Sequence, residues 1–282
     1  MTFLRVSIFN IKFPTVNYDE IFEANRKHWN QRVPVHFQSD FYNVEGFKKG
    51  QSSLTEIERE ALGDVSGKSL LHLQCHFGMD TMSWARKGAV VTGVDFAPEA
   101  IATAKKLSEE LDIPARFLEA NVYDLPEILD EKFDIVFSTF GTIVWLPDLV
   151  KWAAMVSKFL KPGGVFYLAE FHPTFYLFDF DNGKVSYDYF NSRMYKEEIE
   201  RSYAGSDETI EGVEYFWNHD LSEVISALLG EGLQLLEFKE FPFSPYNCFP
   251  NMEERSPGRY VWTLPGHEIP HVYSLKMVRP SS

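Results

Sequence analysis

Residues 68–96 read KSLLHLQCHFGMDTMSWARKGAVVTGVDF. KSLLHLQC (68–75) is a short, nearly continuous apolar run, and AVVTGVDF (89–96) is another. Each predicts a buried strand, while Met79 to Lys87 has helical spacing. Strand, helix and strand in succession predict a right-handed crossover with the two strands parallel.

The texture continues in both directions. PEAIATAKKLSEEL (98–111) carries Ile101, Ala104, Leu107 and Leu111 on one stripe, with Pro98 in the first turn, where its missing N–H costs nothing. ARFLEANV (115–122), FDIVFSTF (133–140) and VFYLAEF (165–171) are the third, fourth and fifth strands. PDLVKWAAMVSKFL (147–160) is a helix with Leu149, Trp152, Ala153, Val156 and Leu160 inward, stopped by Pro162, Gly163 and Gly164. Further on, DLSEVISALLGEGL (220–233) is a helix with Asp220 and Glu223 placed as a capping box. LQLLEFKEF (233–241) is a sixth strand. HVYSLKMVR (271–279) alternates with a period of two and predicts a last strand at or near an edge. Apolar strands separated by helices predict an α/β fold with a doubly wound, mostly parallel sheet buried on both faces.

Around this core, at residues 68–171, three regions break the rhythm. Residues 1–67 form an N-terminal extension, helical over Tyr18–Asn30 and Leu54–Leu62, with Gly63 ending the second helix and VPVHFQSDFYNVEGF (33–47) read as loop. Residues 172–218 read as a lid insertion without a clear period. Residues 219–282 complete the core and carry a second insertion at 242–270, rich in Pro, Phe and Tyr.

Composition narrows the function. The net charge is −14, with no cluster of Lys and Arg to track a phosphate backbone, which argues against a nucleic-acid partner. Two distant cysteines, Cys75 and Cys248, make neither a disulfide framework nor a metal cluster, and fit a reducing cytoplasm. The opening MTFLRVSIFNIKFPTV holds Arg5 and Lys12 within its apolar stretch and is not read as a signal peptide. No run of 18 apolar residues predicts a membrane span. The 25 Phe, 13 Tyr and 6 Trp are an unusually high count, and imply a thick core, a lined pocket, or both.

Ligands of such sheets bind outside the carboxyl ends of the strands. Those ends offer Gly78 after the first strand, Asp95 after the second, Asn121 after the third, and Ser138, Thr139 and Phe140 after the fourth. A glycine permits close backbone approach, and an acid ending the second strand suits a ribose diol. A lone glycine is also what any turn uses, and an acid also stabilises a helix N-terminus.

The succession LLHLQCHFG, VTGVDFAPEAI, FLEANVYDLP, FDIVFSTFGTIVWLPD, LKPGGVFYLAE resembles class I S-adenosylmethionine-dependent methyltransferases, in particular a bacterial branch with an HLQCHFG-type first motif. The resemblance covers Lys68 to Phe171 strongly and Trp217 to Arg279 more loosely. It implies a Rossmann-like seven-stranded sheet with its last strand antiparallel, inserted beside the sixth. It implies S-adenosyl-L-methionine as cofactor, S-adenosyl-L-homocysteine as product, and a small or medium-sized acceptor of unstated identity. By position, Gly78 lies under the methionine part, Asp95 at the ribose hydroxyls, Phe96 beside the adenine, Asn121 at the adenine amine, Val122 as a backbone donor there, and Thr139 near the methionine or the transferred methyl. The family's Asp, Gly and Gly of the first motif are His72, Gln74 and His76 here. Gln74 is expected at the cofactor carboxylate, and His72 or Asp80 near its ammonium. Ala97 stands where the family often has a capping Ser.

His172, just after the fifth strand in AEFHP, is the candidate general base, since its ordinary pKa suits proton transfer near neutrality. Glu170, His36, Tyr42 and His219 are further candidates. A dinucleotide-dependent oxidoreductase would share the strand order and the ribose acid, but wants G-x-G-x-x-G where this chain has LQCHFG. A module that binds the cofactor without turnover, and a protein–protein scaffold with a dead site that no ligand would stabilise, are further alternatives.

Overall fold

In the computed structural model, which describes residues 17–180, 182–204, 209–263 and 266–281, the leader is dominated by one long helix. The opening MTFLRVSIFNIKFPTV lies outside the described residues. Helix α1 (Tyr18–Gln38) starts at Asn17, whose side chain accepts from the Asp19 N–H at 3.2 Å. It runs through Pro34, well past the end predicted at Asn30. The proline removes one helical bond, but Val33, Val35 and His36 around it are buried, so packing holds the turn. After α2 (Val44–Lys48) comes α3 (Glu56–Leu62), with a Thr55–Glu58 capping box and Gly63 at φ +61° ending it. Part of the stretch read as loop is therefore helical.

The core alternates as predicted, with one short additional helix, α6, between the third and fourth strands: β1 (Ser69–Leu73), α4 (Met79–Arg86), β2 (Val90–Asp95), α5 (Pro98–Glu110), β3 (Ala115–Glu119), α6 (Leu125–Ile128), β4 (Phe133–Thr139), α7 (Leu149–Phe159) and β5 (Leu160–Phe171). Two antiparallel hairpins follow in the insertions, β6 (Tyr195–Arg201) with β7 (Thr209–Phe216) and β9 (Met252–Ser256) with β10 (Arg259–Trp262). Between them lie α8 (Leu221–Gly230) and β8 (Gln234–Phe241), and β11 (Val272–Val278) comes last. Neither hairpin was predicted.

The main sheet has the order β3-β2-β1-β4-β5-β11-β8. Its pairs from β3 to β5 are parallel, and β11 runs antiparallel to both neighbours. The strand order reverses between β1 and β4, so ligand binding is expected above their tips. The alternation in β11 predicts a strand at or near an edge, and β11 lies one strand in from it, the edge itself being β8 with its largely exposed face. The polar members of β11 are accommodated inside: Ser274 is buried, and the Lys276 ammonium reaches out to the Ala61 carbonyl at 2.8 Å.

One face of the sheet packs on α7 and α8 through Trp152, Phe159, Phe166 and Leu228. The other carries α3 with Trp84, Phe137 and Tyr167, and a separate cluster of α4 and α5 around Phe77 and Phe117. Burying each such side chain stabilises the fold by roughly 1.5–3 kcal/mol before conformational entropy is subtracted. At α8, Asp220 accepts from the Glu223 N–H at 3.0 Å, but the Glu223 carboxylate turns to His219 at 2.9 Å and Asn191 at 3.1 Å. The predicted capping box is thus only half formed.

Candidate active site

The first turn sets the floor. Gln74, His76 and Gly78 alternate in the left-handed region, at φ 54°, 50° and 76°. For a residue with a Cβ this costs roughly 1–2 kcal/mol, so the surroundings must hold it. The Cys75 N–H donates to the Val94 carbonyl at 2.9 Å, and the His76 N–H donates to Asp95 Oδ2 at 2.8 Å. The Gln74 amide Nε2 donates to the Thr142 carbonyl at 2.9 Å. A Cβ on Gly78 would sit 2.5 Å from the Phe117 ring, so only glycine fits there.

A cavity of about 620 Å³ opens above these tips. Gln74, Gly78, Asp95, Phe96, Asn121, Val122 and Thr139 all line it, so one space joins the ends of β1, β2 and β4 and the turn after β3. Asp95 Oδ1 accepts from the Ala97 N–H at 2.9 Å, doing for α5 what the uncapped Ala97 side chain cannot. Burial pushes the Asp95 carboxyl up to about 6. Asn121 Oδ1 accepts from the Tyr123 N–H at 3.1 Å and keeps one lone pair for a further donor.

Glu170, one of the further candidates, is a clamp. Its carboxylate accepts from the backbone N–H groups of Gly141, Thr142, Ile143 and Phe171 at 2.5–3.2 Å. It fixes the turn after β4, and through the Thr142 carbonyl it fixes Gln74. Burial raises its carboxyl, and those four donors oppose the rise.

The roof comes from α1 and the β6–β7 hairpin. His36 Nδ1 lies 2.9 Å from His76 Nε2, and His36 Nε2 lies 2.7 Å from Ser202 Oγ, so one imidazole joins leader, first turn and hairpin. Arg32 pairs with Glu214 at 2.7 Å, with His28 3.2 Å from the same carboxylate. Asn25 donates to the Tyr215 carbonyl and accepts from its N–H, tying α1 to β7. Trp29 meets Trp145 edge-on at 5.5 Å over the cavity. Burial holds His76 down to about 3 and drives His36 further down, with Arg32 adding to both, so the pair is neutral near pH 7. Sequence reading named His36 and Tyr42 but missed Trp29, Arg32 and Glu214. Trp29, Arg32 and His36 lie three and four apart on one helical face, which was the available signal.

His172 does not line the cavity. Its Nδ1 accepts from the Thr174 N–H at 3.0 Å, and its Nε2 lies 3.0 Å from Glu240 on the edge strand β8. These contacts tie the end of β5 to the edge strand β8. His219 is likewise outside the lining, held by Glu223 and, at 2.8 Å, by the Leu146 carbonyl. Tyr42 does line the cavity, with its hydroxyl 2.6 Å from that of Tyr203.

Three atoms on the tips of β1 and β4 are buried without a partner: His72 Nε2, Gln74 Oε1 and Thr139 Oγ1. All three residues line the cavity. Buried polar groups are ordinarily paired, so these fit a polar ligand such as the amino-acid head of an adenosyl cofactor.

Comparison with known proteins agrees with this geometry. Residues 71–168 match the methyltransferase domain family. An uncharacterized methyltransferase of Synechocystis sp. is 31% identical over 132 residues, which are 46% of this chain and 59% of that protein. A ubiquinone biosynthesis O-methyltransferase of Alkalilimnicola ehrlichii is 27% identical over 121 residues, 42% of this chain and 49% of its own. The chain thus spans about half the length of the curated relatives it matches. Among solved structures, an S-adenosylmethionine-dependent methyltransferase from Methanosarcina mazei superposes with a TM-score of 0.55 at 19% identity, covering 81% of this chain and 99% of that one. Residues 71–168 thus resemble a methyltransferase domain, and the sheet has the fold of solved S-adenosylmethionine-dependent methyltransferases. No helix among the described residues is long and apolar enough to cross a membrane.

Proposed function

We propose that this protein binds S-adenosylmethionine above the strand tips and methylates a small acceptor held under the α1 and hairpin roof. The observation that carries the reading is that the tips of β1, β2 and β4, with the turn after β3, line a single cavity. When bound, the cofactor supplies an electrophilic methyl group on a sulfonium.

The residues' tasks follow from their places. Asp95 would take the ribose hydroxyls with the lone pairs that the His76 and Ala97 N–H groups leave free. Phe96, Asn121 and Val122 would enclose the adenine. Thr139 Oγ1 and Gln74 Oε1, both unpartnered, would meet the methionine part. Beyond them the cavity is lined by Phe140, Phe171, Tyr176, Tyr246 and Phe249, an apolar chamber sized for a small acceptor. Burial raises the Tyr176 and Tyr246 hydroxyls, which keeps them neutral and able to donate a hydrogen bond that orients the acceptor. With His172 off the cavity, the chain's contribution is to align the acceptor and exclude water. Alignment alone can provide roughly 7–11 kcal/mol of barrier lowering.

The test is calorimetric titration with S-adenosylmethionine. Wild type is expected to bind, and Asp95→Ala to bind at least tenfold more weakly with its circular dichroism unchanged. Wild-type binding with no effect of Asp95→Ala would remove Asp95 from the site.

A further inference from the structure

The hydrogen-bond chain in the roof has a direction. Ser202 Oγ accepts from the Ala204 N–H at 3.2 Å, and its own proton has one acceptor among the described residues, His36 Nε2 at 2.7 Å. A neutral imidazole carries a single N–H, and its place follows from the bonds around it. His36 therefore holds its proton on Nδ1 and donates it to His76 Nε2 at 2.9 Å. His76 in turn holds its proton on Nδ1. That N–H has no partner among the described residues, and His76 lines the cavity. The chain from Ser202 through His36 thus ends at the cavity wall in a donor and not in a base.

The other roof groups have the same character. The hydroxyls of Tyr42 and Tyr203 lie 2.6 Å apart, so one donates to the other and one proton of the two is left over. Burial raises both phenols, Tyr203 to about 12, which keeps both protonated near pH 7. Ile199 and Arg201 on β6, and Tyr203 two residues on, alternate onto the cavity side with the period of a strand. Two cations line the cavity, Arg32 and Arg201. Arg32 is paired with Glu214, the roof's carboxylate, at 2.7 Å. The Arg201 guanidinium has neither a hydrogen bond nor an ion pair among the described residues, in a chain whose net charge of −14 makes carboxylates plentiful. The floor has the opposite sign, with Asp80 and Asp95 along it.

We propose that the methyl acceptor is a carboxylic acid, its carboxylate held under the roof by Arg201, the His76 Nδ1–H and the spare hydroxyl of the Tyr42–Tyr203 pair, and its apolar body in the chamber of Phe140, Phe171 and Phe249. A carboxylate accepts and does not donate, with room for about four hydrogen bonds on its two oxygens, which matches a wall of donors. The planar guanidinium fork fits it better than a point charge does. The aromatic chamber favours a ring or another flat apolar body. The arrangement also separates charge: a cationic cofactor lies over the acids of the floor, and an anionic acceptor lies under the donors of the roof. The proposal deepens the reading of the cavity as an S-adenosylmethionine site and rests on it.

Two measurements test it. In wild type loaded with S-adenosylhomocysteine, calorimetry compares benzoate, phenylacetate, 3-phenylpropionate and indole-3-acetate, each with its primary amide. At least one acid should bind about tenfold or more tightly than its amide, as a charge-assisted contact would give. Arg201→Gln should abolish that preference and change the affinity for S-adenosylhomocysteine by less than about twofold. Arg201→Lys, which keeps the charge without the fork, should retain part of the preference. If no acid outbinds its amide, the proposal is overturned. The same holds if Arg201→Gln weakens S-adenosylhomocysteine tenfold, which would assign Arg201 to the cofactor's own carboxylate. The second measurement is the proton–nitrogen correlation spectrum of the histidine rings in the free protein, with His76 assigned by its loss in His76→Gln. The expected form has the proton on Nδ1; a proton on Nε2 would take His76 out of the donor wall and overturn the three-donor site. Wild type that bound no S-adenosylhomocysteine would bring down the cofactor reading and the proposal together, whereas binding without any acid preference overturns the proposal alone.

Discussion

The floor and the roof of the cavity are built on different principles. The floor is backbone: strand tips in a ladder, a turn with left-handed residues, and Glu170 gathering four N–H groups. The roof is side chains: Arg32 on Glu214, His36 between His76 and Ser202, Trp29 on Trp145. A backbone floor cannot shift without breaking the sheet. A roof held by side-chain links is expected to open locally at lower cost than the sheet.

The largest effect should come from the floor. Gly78→Ala adds a Cβ at φ +76° that meets the Phe117 ring at 2.5 Å. Left-handed strain of roughly 1–2 kcal/mol and overpacking of roughly 1–3 kcal/mol should together cost about 3 kcal/mol. The denaturation midpoint measures it, and a loss under 1 kcal/mol would show that the turn yields.

Arg32→Ala should cost less than its buried pairing suggests. Removing one partner of a buried pair costs roughly 3–5 kcal/mol when the structure stays closed. Here the roof can open and hydrate Glu214, so a global loss of about 1–2 kcal/mol is expected by that reasoning. Hydrogen exchange should quicken in α1 and β7 while β1 to β5 keep their protection. Exchange that quickens equally throughout would mean that floor and roof form one cooperative unit.

The smallest effect is a pH slope. His76 is held down to about 3 in the folded protein, against an unfolded value near 6.5. Between those values the unfolded chain binds a proton that the folded one does not, so stability falls as pH falls. His76→Gln removes that linkage. Between pH 6 and 5 wild type should lose about 1 kcal/mol more than the variant. Buried acids such as Asp95 and Glu58, pushed up to about 6 and 7, work in the opposite sense but are common to both proteins. Parallel stability curves would mean that His76 takes up its proton without opening the roof.

The same division explains what could be read from sequence. Apolar runs mark the strands and topology marks their tips, so Gly78, Asp95, Asn121 and Thr139 are legible together in the sequence. The roof depends on contacts such as Asn25 with Tyr215, 190 residues apart, and His36 with Ser202, 166 apart, which no local period carries. The β6–β7 hairpin escaped notice because both faces of YKEEIER hold polar residues, so its alternation of half-buried and exposed positions carries little hydrophobic contrast. His172 was proposed from its place after β5, but its direction is set by Glu240 on a strand nearly seventy positions later. Gln74 and His76 stand where the family has glycine, and the structure shows that they take the glycine backbone conformation all the same.

The position of β11 has a consequence for synthesis. It is the last strand along the chain, yet it separates β5 from β8. On the ribosome, β5 emerges about a hundred residues before the partner that covers its outer edge. Throughout that interval Val165, Phe166, Tyr167 and Leu168 present an unpaired apolar edge, a template for wrong partners.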